Sequence, residues 1–187
     1  AHGTFGYDES IEPYPYDLEQ AQALLTEAGY PDGVSFAIDA PVGRYAQDKE
    51  VVEALVGQWA KAGIDVELNL NEWSVQLDKY RANELTDSHF MGWGTSTFDA
   101  DDILFNAFAK QPNKNNYTNE PLIELLTQAH TSMDQAEREE LYRESLAIIY
   151  DEVPWLFLFQ QNDIYGVDST IDWRARPDQK IEVRTMT

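Results

Sequence analysis

Eight consecutive residues, Ile64 to Asn71, alternate without a break: Ile64, Val66, Leu68 and Leu70 on one side, Asp65, Glu67, Asn69 and Asn71 on the other. A period of two with one apolar side predicts a half-buried strand. Upstream, Val34, Phe36 and Ile38 alternate in the same way. Between the two runs, Gln47 to Ala62 carries Val52, Leu55, Val56 and Trp59 on one helical stripe and stops at Gly63. Strand, helix, strand in that order is a βαβ unit, whose strands belong to one sheet joined by a right-handed crossover. The chain is therefore expected to be α/β.

Flanking patterns extend the unit. Residues 1–16, rich in Gly, Pro and Tyr, read as an extended lead-in. Asp17 and Gln20 form a capping-box pattern ahead of Leu18, Ala21, Leu24, Leu25 and Ala28, a helix that ends by Gly29. A third helix is expected over Trp73 to Ala82, then a strand from Ser88 to Trp93, a loop from Gly94 to Phe98, and a helix capped by Asp99 that continues to Ala109. A polar loop spans Lys110 to Thr118. Asn119 and Pro121 open a further helix with Leu122, Leu125, Leu126 and Ala129 on its stripe, and Asp134 and Glu137 open a longer one that ends near Tyr150. Trp155 to Phe159, apolar on both faces, reads as a covered strand, with Ile164 to Val167 as its pairing partner and Ile181 to Arg184 as a last short strand. The α/β unit is taken as residues 17–169 and the tail as 170–187.

Charge narrows the partners. With 34 acidic against 13 basic residues, the formal charge is −21, and a surface of that sign repels nucleic acid and anionic lipid. The acids are dispersed, as on a solvated surface. There is no cysteine, so disulfides and thiol catalysis are excluded.

Signatures of catalysis are missing: no His-Glu-x-x-His, no Gly-x-Ser-x-Gly, no phosphate loop. Asp99, Asp101 and Asp102 do not make a calcium loop, because Ile103, Leu104 and Lys110 stand where an oxygen ligand, a glycine and a glutamate are needed. No cofactor or metal is expected. A strand that runs into a hydroxyl-rich loop and then a helix start is, by contrast, where open α/β sheets place ligands. The candidate binding residues there are Trp93, Thr95, Ser96, Thr97 and Asp99. Trp93, between Gly92 and Gly94, is either a core residue or a stacking platform. Arg44 and Tyr45 leave another strand end, and Arg44 is either a carboxylate clamp or half of a surface ion pair. Two rival readings are a hydrolase using His89 and Asp99, and a self-contained interaction domain.

Taken in order, several stretches resemble the C-terminal lobe of the family 5 extracellular solute-binding proteins of ABC importers. They are Tyr16-Asp17-Leu18-Glu19 through Asp32-Gly33, Gly43-Arg44-Tyr45 with Asp48 to Val51, and Gly63 to Glu67. Gly92-Trp93-Gly94 through Asp101, Glu152 to Trp155 and Trp173 to Asp178 complete the set. The resemblance implies a type II periplasmic-binding-protein lobe, a mixed sheet flanked by helices. It also implies a larger protein, in keeping with a start at Ala1: an N-terminal lobe toward which the tail returns, a membrane permease as partner, and a periplasmic or extracellular setting, with possible anchoring through the N-terminus. The solute would be a small peptide-like or other polar molecule such as glutathione, captured by hinge closure. In peptide-binding members an Asp holds the ligand's α-ammonium where Ser96 stands here. The Ser/Thr-rich loop is closer to the glutathione-binding branch, and Arg44 matches an Arg that meets a ligand carboxylate in some members.

Overall fold

In the computed structural model, residues 2–111 and 117–185 are described. The middle of the polar loop expected at Lys110 to Thr118 and the last two tail residues lie outside them. Helix α1 (Leu18–Glu27) is capped by Asp17, whose side chain accepts the Gln20 N–H at 2.9 Å. Strand β1 (Val34–Val42) follows, then α2 (Asp48–Trp59) with a 3-10 turn at Ala60–Ala62, β2 (Ile64–Glu72) and α3 (Trp73–Ala82). The order β2-β1-β3 is parallel throughout, with Val34 opposite Ile64. The βαβ unit is thus formed as the alternation predicts.

Its two faces differ in chemistry. Against α2 lies an apolar layer of Ile38, Ala40 and Val52, with Phe36, Val56, Trp59, Val66, Leu68 and Phe90 packed around them. Leu70, expected in this layer, is 39% exposed, because the strand end has passed beyond the cover of α2. The α3 face is polar. Fully buried Asp39 accepts hydrogen bonds from Lys79 Nζ (2.9 Å), Asn71 Nδ2 (2.8 Å) and the Thr86 N–H (2.7 Å), while Gln76 bridges Asn71 and the Asp39 carbonyl. Burial alone would raise the Asp39 carboxyl, but these donors outweigh it and hold the group below its ordinary value.

Strand β3 (Ser88–His89) is shorter than the expected Ser88 to Trp93. It pairs with Ile38 and Asp39, and the Phe90 N–H still donates to the Asp39 carbonyl at 2.8 Å. The next rung of a parallel ladder would run from the nitrogen of residue 41 to the Phe90 carbonyl. Residue 41 is proline and has no hydrogen to give. Pairing ends there and the chain leaves the sheet.

A second core forms beyond it. Helix α4 (Asp101–Leu104) continues into a π turn (Phe105–Ala109) and packs with α5 (Glu120–Thr131) and α6 (Gln135–Glu152) around Leu104, Phe108, Leu122, Leu126, Tyr142 and Ile149. Asn119 and Asp134 cap α5 and α6 as expected. The lead-in has no helix but is packed here: Phe5 pairs with Asp99 and meets Tyr142 edge-on, and Tyr14 stacks on Tyr150 at 4.5 Å.

The strands expected late in the chain do not form. Leu158 and Phe159 lie beside Val51 and Leu55 of α2, a helix surface with no free main-chain groups to make a ladder. Leu156, Phe157 and Phe159 remain 57%, 62% and 63% exposed, and Ile164, the intended pairing residue, is 95% exposed. Over Ile181 to Arg184 the structure has loop and a 3-10 turn at Val183–Thr185.

Where β1 and β2 begin, Gly33 and Gly63 face each other, both with φ in the left-handed region. A β-carbon at Gly33 would lie 2.1 Å from the Gly63 carbonyl oxygen. Gly33→Ala should therefore lose about 2 kcal/mol, the upper end of the cost of a left-handed residue. Urea unfolding checks this, and a loss below about 0.5 kcal/mol would show that the strand starts can separate freely.

Candidate functional site

The C-terminal ends of the parallel strands converge, and three chain segments leave them. After β1, Gly43-Arg44-Tyr45 turns sharply around the Asp48 carboxylate, which accepts main-chain N–H groups from Gly43 (3.2 Å), Arg44 (2.8 Å), Tyr45 (3.0 Å) and Lys49 (2.9 Å). Asp48 is buried, which alone would raise its carboxyl, but the four donors hold it below the ordinary range. After β2, Trp73 is the first residue of α3. The preceding Glu72 caps that helix, accepting the Ser74 N–H at 3.0 Å and the Ser74 hydroxyl.

These two ends meet at Arg44. Its guanidinium carbon stands over the rings of Trp73 and Tyr45, 5.1 and 5.2 Å from their centroids. Among the described residues no carboxylate pairs with it, so the surface ion pair considered from the sequence is not made. Tyr45 also packs edge-on against Phe90. Its hydroxyl accepts the Gly92 N–H at 2.9 Å and lies 3.3 Å from the Gly92 carbonyl, replacing the ladder that Pro41 ends. A β-carbon at Gly92 would lie 2.9 Å from the Tyr45 ring, so glycine is needed for this approach.

The third segment is the hydroxylated loop. Trp93 is half-buried and tilted against Trp155 at 5.7 Å, which in turn packs on Phe108. Thr95 lies 3.3 Å from the Thr97 hydroxyl and 3.4 Å from the Asp99 carbonyl. The Ser96 N–H and hydroxyl both reach Asp102 Oδ2, at 2.9 and 3.2 Å. Asp99 is committed elsewhere. Arg138 Nη2 binds both its carboxylate oxygens, at 2.8 and 2.9 Å, and its Oδ1 accepts the Asp101 N–H at 3.0 Å. Asp99 thus stands one step before the cap expected of it: Ala100 is the residue flanking α4, and the Asp99 side chain serves the turn into that helix.

Arg44 and Tyr45 are brought together with Trp73, and the Tyr45 hydroxyl joins them to the start of the loop. Ser96 and Arg44 share no contact. Nor do His89 and Asp99: His89 sits opposite Asp39 in the sheet, and burial lowers its pKa, with the Asp39 charge opposing. The hydrolase reading is left without a dyad. His130 bonds Asp101 at 2.9 Å and stacks on Phe105. Among the described residues no three His, Asp or Glu side chains converge as a metal site, and no helix is long and apolar enough to cross a membrane. Sequence reasoning missed Asp48, Trp73 and Asp102. Only the spacing of Asp48 behind Arg44, an acid at the start of a helix, carried a signal for any of them.

Comparison with known proteins adds the ancestry of this arrangement. Residues 1–115 match the model described as "Bacterial extracellular solute-binding proteins, family 5 Middle". Heme-binding protein A of Haemophilus influenzae is 31% identical over 160 residues, 81% of this chain and 29% of that protein. A glutathione-binding protein of Escherichia coli is 29% identical over 82% of this chain and 32% of its own length. The chain therefore spans less than a third of these curated relatives. Among solved structures, a periplasmic binding protein of Helicobacter pylori in complex with the peptide STSA superposes with a TM-score of 0.73. It is 31% identical to this chain and covers 82% of it, against 31% of its own chain.

Proposed function

Because the chain belongs to the bacterial extracellular solute-binding proteins of family 5, we propose that it is one lobe of the receptor component of an ABC importer. It works in the periplasm or outside the cell, delivers to a membrane permease, and closes by a hinge with an N-terminal lobe over a small polar, peptide-like solute such as glutathione. The observation that carries this reading is Arg44: a cation at the sheet's C-terminal edge, in a chain with a large excess of acid, with no carboxylate of the described residues paired to it. An unpaired, aromatic-backed guanidinium suits a solute carboxylate. In this reading Tyr45, Trp93, Thr95, Ser96 and Thr97 would complete the solute site, while Asp99 anchors the loop to α6 through Arg138. The exposed Ile181 and Val183 support a tail that packs against the N-terminal lobe.

Titration calorimetry on the intact protein with glutathione and alanylalanine tests the reading. Glutathione is expected to bind more tightly than the dipeptide, and heat from neither would remove peptide-like solutes. Ser96 gives a sharper arm. Ser96→Asp alone would set two carboxylates together at Asp102, so it is combined with Asp102→Asn. That double variant should bind alanylalanine about tenfold more tightly than the wild type, a gain of about 1.4 kcal/mol. No gain would show that position 96 does not face the solute's ammonium.

A further inference from the structure

An exposed arginine ordinarily samples many rotamers and must be ordered when a ligand arrives. Arg44 is held at both ends. Its backbone is fixed by the Asp48 carboxylate, which gathers the N–H groups of the turn, and its guanidinium lies over the Trp73 ring. The two acids that flank these elements in sequence are both engaged. Asp48 bonds the turn's main chain, and Glu72 caps α3. The aromatic side offers the cation attraction without a competing carboxylate, which leaves guanidinium N–H groups for an acceptor from outside.

We propose that Trp73 and Asp48 are positioning residues that set Arg44 before a solute arrives, so that it receives a carboxylate through two N–H groups at once. The inference rests on the reading of Arg44 as part of the solute site, and it concerns how that residue is prepared rather than which solute it meets. Trp73 acts through the guanidinium plane and Asp48 through the main chain, so the two can be separated.

The test uses intact protein with nitrogen-15-labelled arginine, the Arg44 Nε–H signal being identified by its loss in Arg44→Lys. In the wild type that signal is expected upfield of exposed arginines, displaced by the ring currents of Trp73 and, in lesser part, of the smaller Tyr45 ring. Trp73→Leu should return it toward the exposed position and weaken glutathione or alanylalanine binding roughly three- to tenfold, the range of an exposed to partly desolvated cation–π contact. Trp73→Phe keeps a ring face and should hold both close to wild type, which a role in filling space alone would not require, since leucine fills space as well. Asp48→Asn should shift the same signal. An Arg44 signal at the exposed position in the wild type, or unchanged in Trp73→Leu, overturns the proposal, as does a Leu variant that binds the probe as the Phe variant does. An unchanged signal in Asp48→Asn removes the share of Asp48. If neither probe binds the wild-type protein, the peptide-like reading fails for those solutes, and the Nε–H signal still decides this inference.

Discussion

Arg44→Ala should weaken solute binding to the intact protein by about 2–5 kcal/mol, the usual cost of truncating one partner of a buried, hydrogen-bonded charge pair. That corresponds to roughly 30-fold at the low end and several thousandfold at the high end. The size follows from the setting. Once a second lobe closes over the edge of the sheet, the solute carboxylate loses water, and with Arg44 removed it also loses the guanidinium that would compensate it. Arg44→Lys should recover little, because an ammonium cannot offer two parallel donors. Calorimetry with glutathione and with alanylalanine measures both variants. Wild-type affinity for either solute in Arg44→Ala would take Arg44 out of the site.

Lys79→Met is expected to lower the stability of the fold by about 3 kcal/mol, at the low end of the cost of breaking a buried ion pair because the lysine side chain keeps a third of its exposure. The methionine fills the aliphatic path of the lysine but leaves the fully buried Asp39 carboxylate without its charged donor. Removing both charges, in Asp39→Asn with Lys79→Met, should restore part of the loss: no buried charge is left unpaired, but asparagine has one acceptor oxygen where the carboxylate used two, so either Asn71 Nδ2 or the Thr86 N–H loses its acceptor. The pH dependence has a definite sign. Asp39 in the fold holds its carboxyl below the ordinary 3.8, so its contribution is fully present above that value. It is lost as the pH falls from about 3.8 through the lower folded value, because the unfolded chain takes up the proton first. In Lys79→Met acid unfolding should begin at a higher pH. Urea melts at neutral pH and at pH 3 to 5 measure both effects, and a single variant within about 0.5 kcal/mol of wild type would mean that Asp39 is served by its neutral donors alone.

The parts of the molecule that repeat locally were legible. Alternation at Ile64 to Leu68 and the stripe of α2 gave the βαβ unit, and caps at Asp17, Asn119 and Asp134 were each read from a few residues of sequence and formed as expected. Leu70 broke the pattern because exposure at a strand end depends on where the covering helix begins. Trp155 to Phe159 was misread for a related reason: apolarity on both faces says that a segment seeks cover, and the cover it found on one side was a helix. Of the candidate site, the sequence shows the segments but not the contacts between them. Arg44, Tyr45 and the Ser/Thr loop follow strand ends and could be found from spacing. Trp73 reaches Arg44 from 29 positions away, and Arg138 reaches Asp99 from 39, distances over which no periodicity in a single sequence carries a contact.

Pro41 also governs the loop that leaves the sheet. Had residue 41 carried a hydrogen on its nitrogen, β1 and β3 could have zipped one rung further, drawing Met91 and Trp93 into the sheet's alternation and fixing which side each one faced. The absent hydrogen works as a branch point in the backbone. It releases the chain at Phe90 while the sheet is still central, and the segment that departs is free to be shaped by other partners, Tyr45 at Gly92 and Trp155 at Trp93. Diversity among relatives that bind different solutes would then be cheap at this place, because the loop's length and composition can change without disturbing a single rung of the scaffold that holds it.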